Sequence, residues 1–168
     1  YSGQAIDPEV ATQTVHDVVF YLQTLKAPVQ RDQNDVSVQS GRQLFLNTGC
    51  AGCHTPQLAT GYSPIATLSN KTFFPYTDLL LHDMGPGLDD GYTEGSATSA
   101  EWRTPPLWGL GLSKNSQGGQ YFLLHDGRAD SIEEAILLHG GEAAQSKMRF
   151  QQLTGEGRSQ LIKFLESL

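Results

Sequence analysis

Residues 50–54 read Cys50-Ala51-Gly52-Cys53-His54, and the only two cysteines of the 168-residue chain lie in this stretch. C-x-x-C-H is the attachment sequence of c-type haem. On one helical turn the two thiols can each reach a vinyl group of the same porphyrin and form thioethers. The histidine that follows is then directed beneath the ring plane, where an imidazole nitrogen binds iron. We therefore predict one covalent haem c, attached at Cys50 and Cys53, with His54 as an iron ligand.

Three other interpretations of the cysteine pair compete with haem. A thioredoxin-like redox pair belongs before a helix in a βαβ setting, and the chain shows no such pattern. A structural zinc site needs four Cys or His ligands, usually as two spaced pairs, whereas only scattered histidines remain here. The third alternative is a short disulfide beside which His54 is incidental. The helical context, the loop-rich surroundings and two candidate distal ligands favour haem.

Composition restricts the partners and the core. The chain has 11 Lys+Arg against 18 Asp+Glu, a formal net charge of −7, which argues against nucleic acid or an anionic membrane as a partner. No apolar run approaches the ~20 residues of a membrane span. Hydrophobic residues make up 38%, and 18 glycines with 8 prolines imply long irregular connections. Such a chain needs something else to pack around, and a haem would supply the missing apolar bulk.

Apolar periodicity and capping signals predict three or four short helices. Ser131 and Glu134 form an S-x-x-E capping box, and the apolar residues after it recur at helical spacing. In the helix before the cysteines, Gly41 leaves room for close packing. The predicted helices cover residues 9–25, 40–50, 131–140 and 155–168.

The remaining sequence predicts the fold class and the domains. Between residues 55 and 120 no periodicity is sustained and strand signal is weak, so we expect an all-α, cytochrome c-like domain with long loops around the haem. The stretch 26–40 is polar and is typical of a linker. We therefore predict an N-terminal helix and linker over 1–36 and a c-type cytochrome domain over 37–168. Because there is neither an initiating Met nor a signal peptide, we expect Tyr1 to follow a cut.

Two residues compete as the distal iron ligand. His139 falls on the apolar face of the helix that begins at Ser131, where a polar ring has no evident reason to be, although a core histidine bonded to backbone is the ordinary explanation. Met84 lies in a Gly/Pro loop, and a thioether is an equally normal ligand that raises the reduction potential. His16 and His82 are expected to be solvated or structural. The choice between His139 and Met84 stays open.

Basic and acidic residues suggest two further contacts. His125 and Arg128, in a turn before the His139 helix, and Arg103 could hold the haem propionates through charge-assisted hydrogen bonds; surface ion pairs are the alternative. A group of acidic residues suggests a calcium ion, although its members lack the alternation of a calcium loop. These residues are Asp78, Asp83, Asp89, Asp90 and Glu94.

In these residues and their order, the chain resembles the C-terminal haem domain of the bacterial di-haem cytochrome c peroxidase superfamily. It is closer still to the di-haem oxidoreductase branch, also called thiol oxidoreductase-like. The resemblance covers nearly the whole length, and several separated motifs in the right order make it more specific than C-x-x-C-H alone. These motifs are 41–45, 75–85, 102–109, 125–128 and 131–143.

The resemblance implies a two-domain parent. In it a first haem, on an N-terminal domain, handles peroxide or another oxidant, and a second haem, corresponding to this one, relays electrons. In the peroxidases the helix after the His-Asp-Gly turn supplies a methionine to the second haem, and the matching residue here is His139. The ligand pair is therefore His54 with His139, or His54 with Met84. Bis-histidine ligation would be expected to lower the reduction potential.

These observations lead to one leading hypothesis and two rivals. The leading hypothesis is a mono-haem c-type cytochrome domain that transfers electrons to a redox partner protein or to the N-terminal haem domain of the same parent. The rivals are a haem enzyme whose open iron site acts directly on peroxide, and a sensor of a small gas. Covalent haem attachment takes place outside the bacterial cytoplasm, so we expect a periplasmic location.

Overall fold

The computed structural model describes residues 9–168, so the expectation about Tyr1 and the first eight residues of the predicted 1–36 segment lie outside it. Within residues 9–168 there are six α-helices and four short strands, together with two 3-10 helices at Cys50–Gly52 and Gly141–Ala143. The helices are α1 Thr12–Gln23, α2 Val36–Asn47, α3 Leu110–Ser116, α4 Ile132–Leu138, α5 Ala144–Gln151 and α6 Gly155–Ser167. The strands are β1 Leu58–Ala59, β2 Thr72–Phe73, β3 Leu81–Asp83 and β4 Glu101–Arg103.

The described chain divides into two units. The first combines residues 9–27, which include α1, with Thr60–Lys71. Thr60 and Lys71 close the latter segment, since the Thr60 amide donates to the Lys71 carbonyl at 2.9 Å. None of the residues of α1 is buried, and its apolar side chains are exposed. The predicted boundary between residues 36 and 37 stays a prediction.

The second unit, Pro28–Ala59 with Thr72–Leu168, contains the hydrophobic core. Helix α2 is capped at its N-terminus by Asp35, whose side chain accepts hydrogen bonds from the Ser37 and Val38 amides. Helices α2 and α6 approach closely at Gly41, where an added Cβ would lie 2.0 Å from the Gln160 carbonyl oxygen. The close packing predicted for Gly41 is therefore confirmed. The core includes Val38, Phe45, Tyr76, Phe150, Leu161, Phe164 and Leu165.

The predicted cap of α4 is present, but the Glu134 side chain binds the amide one residue before the cap residue. The Ser131 hydroxyl accepts from the Glu134 amide at 3.2 Å, as in a capping box. The Glu134 carboxylate, however, accepts from the Asp130 amide at 2.9 Å rather than from the amide of the cap residue. The cap fixes the start of the short helix that leads to His139.

Two small antiparallel sheets lie in the region without periodicity. Strand β1 pairs with β2, and β3 pairs with β4 so that His82 lies opposite Trp102. The all-α prediction is therefore wrong, because the described part of the chain combines helices with two sheets. Each strand has only two or three residues, which is too short to show the alternation of a half-buried strand. Within residues 9–168, no helix is long and apolar enough to span a membrane.

Candidate haem-binding site

The two cysteines lie on and beside one tight turn that follows α2. Gly49 adopts a φ of +90°, a left-handed conformation that glycine adopts without strain, and Cys50 begins the 3-10 helix. Both cysteines are free, and the Thr48 hydroxyl lies 3.3 Å from the Cys50 sulfur. Burial raises the pKa of both thiols, and nearby carboxylates raise the pKa of Cys53 further. The turn therefore presents two neutral, unbridged thiols, as thioether attachment requires.

His54 is oriented by backbone groups. Its amide donates to the Cys50 carbonyl at 3.0 Å, and its ring Nδ1 lies 3.1 Å from the Tyr76 carbonyl oxygen. Because a carbonyl can only accept, Nδ1 carries the hydrogen and Nε2 keeps its lone pair. Burial, with a smaller contribution from the neighbouring His139, lowers the pKa of His54 to about 4. His54 is thus neutral at pH 7, in the tautomer that binds a metal through Nε2.

Tyr76 aims its carbonyl at His54 by adopting an unusual backbone conformation. Its φ is +55°, which L-residues rarely adopt. Its ring is buried and packs edge-on against Phe45 and Phe164 at centroid distances of 5.9 and 5.8 Å. The next residue is anchored as well, since the Thr77 amide donates to the Thr55 carbonyl at 3.0 Å. The packing of the ring holds the carbonyl in position, and nothing in the sequence indicates this contact.

His139 is positioned in a similar way at the end of α4. It is the residue after the last helical residue, rather than part of the helix as predicted, and its Nδ1 donates to the Ala135 carbonyl at 2.6 Å. Nε2 of His139 therefore carries the lone pair. Burial lowers the pKa of His139, so this ring is also neutral at pH 7. Both half-buried histidines accordingly offer Nε2 as a ligand atom.

Met84 lies beside the turn that follows His139. Its amide donates to the Ala100 carbonyl at 2.8 Å, and its carbonyl oxygen would lie 2.7 Å from a Cβ added to Gly140. The two candidate distal ligands, His139 and Met84, thus come from segments in direct backbone contact. The choice between them stays a prediction.

His82 has a structural role that its sequence context did not specify. Its Nε2 lies 2.9 Å from the Asp78 carboxylate, and its Nδ1 lies 2.9 Å from the Glu142 carboxylate. The hydrogen bond to Glu142, followed by that to Asp78, raises the pKa of His82 against the effect of burial. The same bond to His82 lowers the pKa of Glu142. No local pattern could have predicted the pairing, because Glu142 lies 60 residues from His82.

The three residues predicted to hold propionates lie around Trp102. Nε2 of His125 donates to the Arg103 carbonyl at 2.7 Å, and the His125 ring meets Trp102 edge-on. The Arg128 guanidinium lies 5.7 Å from the centre of the Trp102 ring, but it is also paired with Asp126. Within residues 9–168, the buried indole N–H of Trp102 has no hydrogen-bond partner. An acceptor such as a carboxylate would satisfy it, and no sequence pattern indicates this donor.

The acidic residues considered for calcium mostly bind their own turns. Asp83, Asp89 and Asp90 each accept a hydrogen bond from the amide two residues ahead. In the described part of the chain, the group of three ligand atoms close enough for a metal ion is instead Cys53, Asp78 and His82, within 4.8 Å of one another. Calcium binding stays a prediction.

The residues of the site fit a c-type haem by the chemistry of their donor atoms. Cys50 and Cys53 offer unbridged thiols, and the histidine directly after them is neutral with Nε2 available. A second imidazole, that of His139, lies near enough to His54 to contribute to the lowering of its pKa. Around Trp102, donors for carboxylates are concentrated.

Comparison with known proteins agrees with this fit. The family described as "Di-haem oxidoreductase, putative peroxidase" matches residues 2–168. A structure of Kuenenia stuttgartiensis hydrazine synthase shares the fold at a TM-score of 0.55 and 16% sequence identity, with 94% of this chain and 56% of that chain covered. The chain thus spans little more than half the length of that neighbour, and no curated protein matches it. The resemblance seen in the motifs is confirmed: this chain belongs to the di-haem oxidoreductase family.

Proposed function

We propose that this chain carries one covalent haem c and relays electrons, with His54 and His139 as its two iron ligands. The observation that carries the proposal is the shared arrangement of these histidines beside the cysteine pair. Each ring donates its Nδ1 hydrogen to a backbone carbonyl, is kept neutral by burial and offers Nε2. A metal-binding histidine ordinarily has this second hydrogen bond, which fixes its tautomer.

Each residue has a defined role in this proposal. Cys50 and Cys53 would hold the haem through two thioethers, each formed by adding S–H across one vinyl group with nothing released. When bound, the haem supplies an iron that alternates between Fe(III) and Fe(II), one electron at a time. His54 and His139 would each bind the iron through Nε2, and with both bound the iron would be closed to peroxide and other ligands. The protein thus limits the iron to electron transfer.

Arg103 and Trp102 are proposed to hold propionate carboxylates. Within residues 9–168, the Arg103 guanidinium makes no hydrogen bond or ion pair, and the Trp102 indole lacks an acceptor. Arg128 is the weaker candidate, because it already binds Asp126 and the Gly87 carbonyl. His125 supports the group by fixing the Arg103 backbone.

The proposed context is a larger di-haem protein of the periplasm. The family name supports two haems, and this chain spans 56% of its structural neighbour. We propose that a redox partner, or a second haem domain of the same parent, exchanges electrons with this site. The division into residues 1–36 and 37–168 belongs to the same proposal, and the exposed apolar residues of α1 are available for contact with another domain.

The alternative function is direct reaction with peroxide at an open iron site. The family description favours it by naming peroxidases. It requires that neither His139 nor Met84 bind the iron. Carbon monoxide separates the two functions, because it binds an open ferrous iron at once but must wait for a bound histidine to dissociate.

The experiment that tests covalent attachment uses the whole chain, exported in bacteria that have c-type haem maturation. Intact-mass analysis and haem staining of a denaturing gel should show one haem per chain. Removing both thiols, in Cys50→Ala/Cys53→Ala, should abolish the stain, whereas His16→Gln, an exposed change on α1, should leave it intact. Unmodified wild-type chain, in cells that load a control cytochrome, would contradict the proposal.

A further inference from the structure

His82 connects the two segments that carry Asp78 and Glu142. The proposed electron relay depends on both segments, but it does not explain why His82 links them. It lies in the middle of β3, opposite Trp102 in β4. Its side chain is 16% exposed and that of Asp78 is 15% exposed, so this ion pair is better shielded from water than a surface pair. Glu142, on the other side of the ring, is 56% exposed. One imidazole thus joins two carboxylates from separate parts of the chain.

The two carboxylates belong to the segments that hold the two histidine ligands. Asp78 lies two residues after Tyr76, whose carbonyl accepts the Nδ1 hydrogen of His54. Glu142 lies three residues after His139. The ion pairs of His82 therefore run from the segment that orients the proximal histidine to the turn that carries the distal one.

Backbone contacts tighten the same junction. The second oxygen of Glu142 accepts from the Asp83 amide at 3.0 Å. An added Cβ on Gly141 would lie 2.1 Å from the Asp83 carbonyl oxygen, and one on Gly85 would lie 2.9 Å from the Gly141 nitrogen. The turn after His139 therefore packs directly against the end of β3, with no room for a side chain at Gly141.

We propose that His82, held between Asp78 and Glu142, is a positioning residue that keeps the distal ligand on the iron by fastening the His139 turn to β3. The inference rests on the proposed function. It also applies if Met84 is the ligand, since Met84 follows β3 directly. Distal-ligand dissociation would then require this clamp, defined as Asp78, His82 and Glu142, to loosen.

A metal ion is a poorer explanation for these residues. The Cys53 sulfur completes a group of three potential ligand atoms with Asp78 and His82. Both nitrogens of His82, however, are already engaged with carboxylates, and Cys53 is one of the two thiols assigned to the haem. A positioning role for His82 is compatible with both of its hydrogen bonds to carboxylates and with the assignment of Cys53 to the haem.

The test measures carbon monoxide binding to the ferrous, haem-loaded chain by stopped-flow absorption. His82→Gln and Glu142→Gln each remove a charge-assisted hydrogen bond, so we expect carbon monoxide to bind about tenfold faster or more than in wild type. The ferric spectrum of each variant should also show a larger high-spin fraction. His16→Gln is the surface control. Asp35→Ala is the stability control, because it weakens α2 without touching the clamp, and its carbon monoxide rate should equal that of wild type.

The possible outcomes distinguish failure of the clamp proposal from failure of the proposed electron relay. Slow carbon monoxide binding in wild type with equally slow binding in both clamp variants would overturn the clamp and leave the relay standing. Rapid binding in wild type would overturn the relay, and the clamp with it. If Asp35→Ala raises the rate of carbon monoxide binding as much as the clamp variants do, the increase comes from general destabilisation of the fold. That result would also overturn the clamp.

Discussion

Among individual residues, the proposed site centres on two histidines, His54 and His139, whose Nδ1 atoms are bound to backbone carbonyls. The sequence predicted His54 from its motif and His139 from its position on an apolar helix face. It could not predict the partner of His54, because the Tyr76 carbonyl reaches the ring through a φ of +55° at a tyrosine. Such a conformation costs on the order of 1 kcal/mol and is kept by the buried ring, which is a tertiary effect.

The distal ligand is tested by comparing His139→Ala with Met84→Leu in the ferric, haem-loaded chain. We expect His139→Ala to convert the iron from low spin to high spin, because it removes the ligand atom. Met84→Leu nearly conserves side-chain volume and should leave the visible and far-red spectra unchanged. An unchanged spectrum in His139→Ala, with a change in Met84→Leu, would assign the ligand to Met84 instead.

At the element scale, helices with strong end signals were predicted and the short strands were not. The Ser131 cap located α4, and the apolar spacing near the end of the chain located α6. Strands β3 and β4 pair through residues about 20 positions apart in the sequence. Neither strand therefore shows a local hydrophobic alternation from which it could be predicted. The start of α2 at Val36, four residues before the predicted start, follows from the Asp35 cap.

Close packing of α2 on α6 is tested by Gly41→Ala. The new methyl would lie 2.0 Å from the Gln160 carbonyl oxygen, so the helices must separate, and we expect a loss of about 1–3 kcal/mol in the free energy of unfolding. Gly155→Ala, where an added Cβ has no neighbour within 4 Å, is the matched control and should be nearly neutral. Urea denaturation measures both. Equal unfolding midpoints for the two variants would show that the helices do not approach at Gly41.

The cap of α2 is tested by the pH dependence of Asp35→Ala. The Asp35 carboxylate accepts from Lys163 at 2.6 Å and from two backbone amides, and these bonds, that of Lys163 first, lower its pKa. A carboxyl with a lowered pKa stabilises the fold above its unfolded pKa of 3.8, and this stabilisation is lost as pH falls through the lower, folded value.

We therefore expect Asp35→Ala to lower the melting temperature by a few degrees at pH 7, and the difference from wild type to shrink below pH 3.8. Differential scanning calorimetry measures both values, with Asn34→Ala as a control at a neighbouring exposed residue. A difference that stays constant from pH 7 to pH 2.5 would show that the ionised carboxylate is not the source of the stability.

For the molecule as a whole, composition led us to expect a prosthetic group in the core and a basic redox partner, and both stay predictions. It did not predict the grouping of Thr60–Lys71 with residues 9–27, because such long-range association leaves no local pattern. The net charge of −7, to which two propionates would add, favours a basic redox partner.

Electron transfer with a basic c-type cytochrome should therefore depend on salt. The Debye length falls from about 30 Å at 0.01 M to about 3 Å at 1 M ionic strength, so we expect the second-order rate to drop about tenfold or more over this range. Stopped-flow absorption measures it, and an acidic partner of similar reduction potential should show the opposite trend. A rate independent of salt with both partners would mean that net charge does not guide the encounter.

We propose that His54 and a second protein ligand hold a covalent haem in a six-coordinate, electron-transferring state. The most direct measurement is the low-temperature electron paramagnetic resonance spectrum of the ferric, haem-loaded chain, recorded before and after addition of peroxide. We expect a low-spin signal of the bis-histidine type that peroxide leaves unchanged. A predominantly high-spin signal that changes on adding peroxide would contradict it.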